Sequence, residues 1–177
     1  ATEEPRYLDE AVDQVLKHSA HLQDPATGLY HHAWRPATDS LDGPAFWGRG
    51  NGWVLLAVSE LVAGMPRGHA LLPAVQDVFT RHAAGLVAHQ DSSGRWRTVI
   101  TRPDAYLETS ASALIAGALA TALRYGELDR AQYEAPAAAA LAGVWSQVDA
   151  GGIVGGVSAP TWPMPEDEYL ERPISSF

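Results

Sequence analysis

The chain has 177 residues, with 12 Lys and Arg against 21 Asp and Glu, so its formal charge is −9 with the seven His neutral. Nucleic-acid binding draws its affinity from clustered Lys and Arg, and this balance argues against a nucleic-acid partner. At 46% hydrophobic and 19% charged the composition is that of a globular chain with one core, and the lack of Cys excludes a disulfide scaffold, a thiolate metal site and a Cys nucleophile. No stretch reaches the roughly 20 apolar residues of a membrane span, so no membrane partner is expected. The nearest, Ala113 to Leu123, is short and broken by Thr121. The first residues, Ala1 to Arg6, are too polar for a secretory signal, and with no Cys the expected setting is cytoplasmic.

Apolar residues at three-to-four spacing predict a helix from Tyr7 to Leu22, with Pro5 ahead of it and Asp24, Pro25 and Gly28 as its stop. A short aromatic segment, Leu29 to Trp34, and a polar loop with Pro36, Gly43 and Pro44 follow. The run Asn51 to Ala63 is apolar on nearly every side and ends at Gly64, which predicts a buried helix. Further helices are expected over Leu71–Gln90, over Thr109–Tyr125 closed by Gly126, and over Arg130–Gln147, while strand signals are nearly absent. One unit repeats along this order. Helices end at Gln23-Asp24 before Gly28, at Gln90-Asp91 before Gly94 and at Val148-Asp149 before Gly151. A helical hairpin repeated in this way cannot bury its own apolar face, so the fold class is all-α, a helical array or closed toroid. Gly151 to Pro165 reads as loop and Tyr169 to Phe177 as a tail with no helix to pack on, so residues 1–177 read as one domain truncated at both ends.

The densest chemical cluster is Phe46-Trp47-Gly48-Arg49-Gly50-Asn51-Gly52-Trp53, where a loop enters the buried helix. Two indoles and a guanidinium so close suit a sugar acid, since an aromatic face stacks on a pyranose while Arg grips a carboxylate with paired hydrogen bonds. The alternative makes Trp53 a core residue and Arg49 a surface cap. His31-His32-Ala33-Trp34 is the second cluster, where a neutral imidazole can orient water or bond a hydroxyl. Neither this pair nor His18 and His21 comes with a second ligand set, so no metal or other cofactor is expected. His69, His82 and His89 carry no chemical expectation. In Tyr106 to Ala113, Thr109 or Ser110 is placed to cap the next helix, and Glu108 is either a favourable charge at that helix end or an acid–base group. No Gly-x-Ser-x-Gly elbow surrounds Ser110 or Ser112, and Trp96 is either a second sugar platform or a pin for its loop.

Taken in order, Tyr7-Leu8-Asp9-Glu10-Ala11, Asp24 to Trp34, Phe46 to Trp53, Tyr106 to Ala113 and Tyr169-Leu170-Glu171-Arg172-Pro173 resemble glycoside hydrolase family 105, the unsaturated rhamnogalacturonyl hydrolases. The resemblance implies an (α/α)6 toroid of six hairpins, of which this chain holds an incomplete part. It implies a small unsaturated oligosaccharide as substrate, a pectin product with a 4,5-unsaturated galacturonate at its non-reducing end. An Asp protonates C4, water adds at C5, and the hemiketal opens to release the remaining sugar. On the matched positions His32 is a catalytic-site residue near the unsaturated ring, and Trp34, Trp47, Arg49 and Trp53 bind substrate. Trp47 and Trp53 wall the pocket while Arg49 faces the carboxylate or nearby hydroxyls. Two departures stand out. The family's general acid lies on a segment before the part matched, and Arg35 follows Trp34 where members often carry an acid. The implied alternatives are a non-catalytic carbohydrate-binding or scaffolding remnant and an unsaturated glucuronyl hydrolase of the related family 88. Open helix faces should make the chain aggregate or require its missing half.

Overall fold

In the computed structural model, which describes residues 5–176, the chain runs through α1 (Pro5–Leu22), α2 (Gly48–Gly64), α3 (Leu72–Ala88), α4 (Thr109–Tyr125) and α5 (Arg130–Trp145). Residues 1–4 of the polar start, and Phe177, lie outside the described residues. The helices form two layers because α2 and α4 are apolar on most sides and bury Leu55, Val58 and Val62 on one and Ile115, Leu119 and Ala122 on the other. Their contact is the most extensive between any two elements, with α3 behind α2, α5 behind α4, and α1 beside α3. Each large apolar side chain removed from water there contributes about 1.5–3 kcal/mol. Close approach at the start of α2 depends on glycine. A Cβ on Gly52 would stand 2.8 Å from the Leu114 Cβ, and one on Gly48 would stand 2.5 Å from the Arg97 carbonyl oxygen.

Short antiparallel ladders cap the hairpins: β1 (Trp34–Arg35) with β2 (Ser40–Leu41), β3 (Trp96–Arg97) with β4 (Leu107–Glu108), and β5 (Val157–Ser158) with β6 (Ile174–Ser175). Trp34 pairs with Leu41, Trp96 with Glu108 and Val157 with Ser175.

The repeat has a physical basis. Asp24, Asp91 and Asp149 each fold a turn by accepting backbone N–H groups just downstream. Gly28, Gly94 and Gly152 close these turns at φ +74°, +82° and +84°, so the third uses Gly152 and not Gly151. Gln23 Nε2 donates to the Gly28 carbonyl at 3.1 Å and to the Val78 carbonyl of α3 at 2.9 Å. Gln90 Nε2 likewise donates to Gly94 at 2.8 Å and to Pro136 of α5 at 2.9 Å. Each turn then lies against a glycine of that next outer helix. A Cβ on Gly85 would meet the Thr27 carbonyl oxygen at 2.1 Å, and one on Gly143 the Ser93 carbonyl oxygen at 2.4 Å. Val78 to Pro136 and Gly85 to Gly143 are both 58 residues apart, the same spacing as Asp91 to Asp149.

Two expectations need correction, and one open choice is decided. First, α2 begins at Gly48, three residues before Asn51, because Trp47 turns the chain into the helix without a polar side-chain cap. Second, the tail is anchored: Ile174–Ser175 pairs with Val157–Ser158, and a one-turn helix, α6 (Glu166–Leu170), buries Tyr169 among Ala45, Val99, Ala105 and Met164. A five-residue helix behind a Pro is too short for periodicity to reveal. Of the two readings of Trp96 the loop pin holds, since Trp96 is fully buried, its indole donates to the Leu86 carbonyl at 2.7 Å, and it offers no face to a sugar. Among the described residues no helix is long and apolar enough to cross a membrane.

Candidate active site

The N-terminal ends of α2 and α4 and the ladders above them gather the polar groups. Asn51, buried in the first turn of α2, organises this end. Its Oδ1 accepts from the Tyr30 N–H at 2.8 Å and from His82 Nε2 at 3.0 Å, while its Nδ2 donates to the carbonyls of Tyr30 at 2.8 Å and Trp47 at 3.0 Å. One side chain thereby fixes Tyr30, and with it His31 and His32, against the start of α2. Burial holds the His82 pKa down at about 3, so it is a neutral N–H donor. Sequence reading missed Asn51, although it sits inside the quoted cluster, because nothing local distinguishes a buried amide hub from a solvated Asn.

His32 stands at the centre. Its ring lies 4.3 Å from Trp47, centroid to centroid, and its Nδ1 is 2.5 Å from the Tyr169 hydroxyl. Burial lowers the His32 pKa, which keeps the imidazole neutral at neutral pH. His31 stacks on Phe46 at 4.5 Å. Gly50 makes room for the Trp47 ring, whose carbon would lie 2.9 Å from a Cβ there. His31, His32 and Trp47 line a cavity of about 70 Å³ together with Tyr30, Asn51 and Val54.

Arg49 continues the row. Its guanidinium carbon lies 5.6 Å from the Trp47 ring centre, and Nη2 donates to the Ser158 carbonyl at 2.6 Å and to the Ser158 hydroxyl. The same Nη2 stands 3.6 Å from Glu108 Oε1, so Arg49 is a partly buried hub and not a surface cap. Trp53 is 57% exposed and shares an open cavity of about 460 Å³ with Arg49, Leu56, Ser110 and Leu114, so it is not a core residue either. Glu108 is fully buried. It caps α4 itself, in place of Thr109 or Ser110, accepting from the N–H groups of Ser110 and Ala111, from the Ser110 hydroxyl and from the Ser158 N–H. With both oxygens engaged and no exposure, Glu108 is not placed to exchange a proton with a substrate.

The structure thus brings His32, Trp47, Arg49 and Trp53 along one line and sets Trp34 apart. Trp34 stacks on His21 of α1 at 3.7 Å and 14°, and its indole donates to Asp39 at 3.1 Å. It borders a separate groove with Lys17, His18 and Pro36. A cavity of about 600 Å³ between α4 and α5 holds none of these residues and is lined mainly by Ala and Leu. No group of three potential metal ligands occurs among the described residues.

The model of glycosyl hydrolase family 88 matches residues 1–177. The chain belongs to that family. It is 36% identical over 167 residues to an unsaturated rhamnogalacturonyl hydrolase of Bacillus subtilis, YesR, a match covering 94% of this chain and 46% of that protein. Crystal structures described as possible members of family 105, from Salmonella enterica and Klebsiella pneumoniae, superpose with TM-scores of 0.92 and 0.91 at 30% and 29% identity. Each match covers 98% of this chain and 46% of the other. The resemblance to family 105 and the helical-hairpin toroid therefore hold, and the chain spans about half the length of the relatives it matches.

Proposed function

We propose that the protein carrying this chain releases sugars from small unsaturated uronyl oligosaccharides of the rhamnogalacturonan type, by hydrating their 4,5 double bond. The observation that carries the reading is the line His32–Trp47–Arg49–Trp53 at the mouth of α2, in a family whose relatives are named for this chemistry. In the reaction a proton goes to C4 and the oxygen of water to C5. The resulting hemiketal opens, its C1 leaving group departs with a proton, and a keto-uronate remains. The exposed Trp53 face and the edge of Trp47 offer apolar surface to the ring. Arg49, which already spends Nη2 on Ser158, offers its remaining N–H groups to the carboxylate or a hydroxyl. Neutral His32 supplies one N–H near the reacting carbons.

The donor of the C4 proton is not in this gathering: burial keeps His32 neutral, and Glu108 is buried and fully bonded. The reading therefore assigns it to an Asp outside the chain. Without that group the chain should bind but turn over ~10²–10⁴-fold more slowly than the full protein. Trp34 belongs to the reading as an outlying platform for sugars beyond the unsaturated one, with one ring face already covered by His21. The cytoplasm, where imported oligosaccharides are met, is the compartment proposed.

Arg49→Lys tests the clamp. A point charge replaces the planar fork, and the KM for the unsaturated disaccharide should rise about 10- to 100-fold. An unchanged KM removes Arg49 from substrate recognition. Binding by the full protein without loss of the double bond's ultraviolet absorbance would instead support a non-catalytic carbohydrate-binding role.

A further inference from the structure

We infer that Tyr169 is a positioning residue that holds His32 as its Nε2–H tautomer, so that the site presents an N–H donor to the substrate and not an imidazole lone pair. The tautomer follows from the Tyr169–His32 contact together with the burial of both groups; its use on an unsaturated uronate rests on the function proposed above.

The two residues are 137 positions apart and meet because α6 is clamped in place. Arg102 Nη1 donates to Glu166 Oε1 at 3.1 Å and to Asp167 Oδ1 at 2.9 Å, and Asp104 braces the same guanidinium at 2.9 and 2.8 Å. Tyr169 itself is fully buried among Ala45, Val99, Ala105 and Met164, a packing that leaves its hydroxyl little freedom to move away from His32. The Gly43 backbone lies close by, for a Cβ there would stand 3.5 Å from the Tyr169 hydroxyl oxygen.

A phenol has one proton to give. Burial pushes the Tyr169 pKa up to about 12, so the proton stays on oxygen at any working pH. Among the described residues, His32 Nδ1 is the acceptor within reach of the hydroxyl hydrogen, at 2.5 Å. His32 is neutral by burial and so carries a single N–H. If Nδ1 accepts from the phenol, that hydrogen sits on Nε2. Were Nδ1–H instead to donate, the buried phenol hydrogen would lose its acceptor, a net loss in a dry site. Nε2 has no partner among the described residues, which leaves its N–H for a hydroxyl or ring oxygen of the sugar.

The test is histidine-selective 15N NMR on the full protein. His82 is the internal control, because its Nε2–H donates to an Asn51 oxygen whose orientation three other bonds fix. In the wild type, His32 should show a protonated Nε2 and a hydrogen-bonded, unprotonated Nδ1. In Tyr169→Phe, which keeps the ring and removes one oxygen, the Nδ1 signal should move to its unbonded position and the other tautomer should appear, with the His82 signals unchanged. The same variant should lower kcat/KM on the unsaturated disaccharide about tenfold. A wild-type His32 carrying its proton on Nδ1 would overturn the inference, as would a Tyr169→Phe protein whose His32 signals do not move. If the wild type leaves the disaccharide intact, the function proposal fails while the NMR result on the tautomer still stands.

Discussion

His82 is where one residue's burial becomes measurable in the whole protein. Its folded pKa of about 3 lies below the ordinary 6.5, so between those values the unfolded chain binds a proton that the folded chain refuses. Stability is therefore complete above pH 6.5 and falls as the pH drops toward 3. Through His82 alone, urea unfolding at pH 7 and pH 5 should differ by about 2 kcal/mol, and His82→Gln should remove that share while the contribution of buried His32 remains. Asp24 and Asp91, whose pKa values are lowered by hydrogen bonds from Thr27 and Ser93, act in a separate window, losing their contribution only as the pH falls below 3.8. No local signal ranks His82 above His69 or His89, because its role depends on Asn51, 31 positions away. Trp47 and Arg49 were legible, since both lie within one eight-residue cluster. Tyr169 was quoted only as part of a motif, and its meeting with His32 is visible only once α6 folds back.

At the scale of the helix, the periodic runs and their Gly and Pro stops were legible because each signal is local. The fit of turn to helix was not. Gly85 and Gly143 lie in the last turns of α3 and α5, and no local signal says that the Thr27 and Ser93 carbonyls press against them. Their shared 58-residue spacing is the sign that would have found them. Gly85→Ala and Gly143→Ala should each destabilise the protein by about 1–3 kcal/mol, since backbone and not a flexible side chain must give way. Gly64→Ala is the contrast, for a Cβ there meets nothing within 4 Å. Thermal unfolding of the three variants separates these cases, and equal losses would deny the docking role of the turns. Glu108 shows a different limit. Its place before α4 announced a favourable charge, but only the fold shows both oxygens consumed by Ser110, Ala111 and Ser158.

For the molecule as a whole, the repeat was enough to indicate a helical array or closed toroid, while the resemblance supplied the number of hairpins. Open helix faces were expected, but not which residues form them. Leu141 and Trp145 of α5 are 63% and 72% exposed, next to the cavity between α4 and α5. Relatives about twice as long have further chain to cover such faces. The isolated chain should therefore self-associate, eluting above its 18.9 kDa, and replacing both side chains with Glu should reduce the association. Elution as a monomer before any substitution would contradict this.

The central claim is that His32, Trp47, Arg49 and Trp53 serve hydration of an unsaturated uronate. Its most direct test follows the ultraviolet absorbance of the double bond while the full protein acts separately on unsaturated disaccharides from rhamnogalacturonan and from a glycosaminoglycan. Absorbance should fall with release of rhamnose from the first and change much more slowly with the second. Faster loss from the glycosaminoglycan disaccharide would transfer the chemistry to a glucuronyl substrate, and constant absorbance with both would contradict the account.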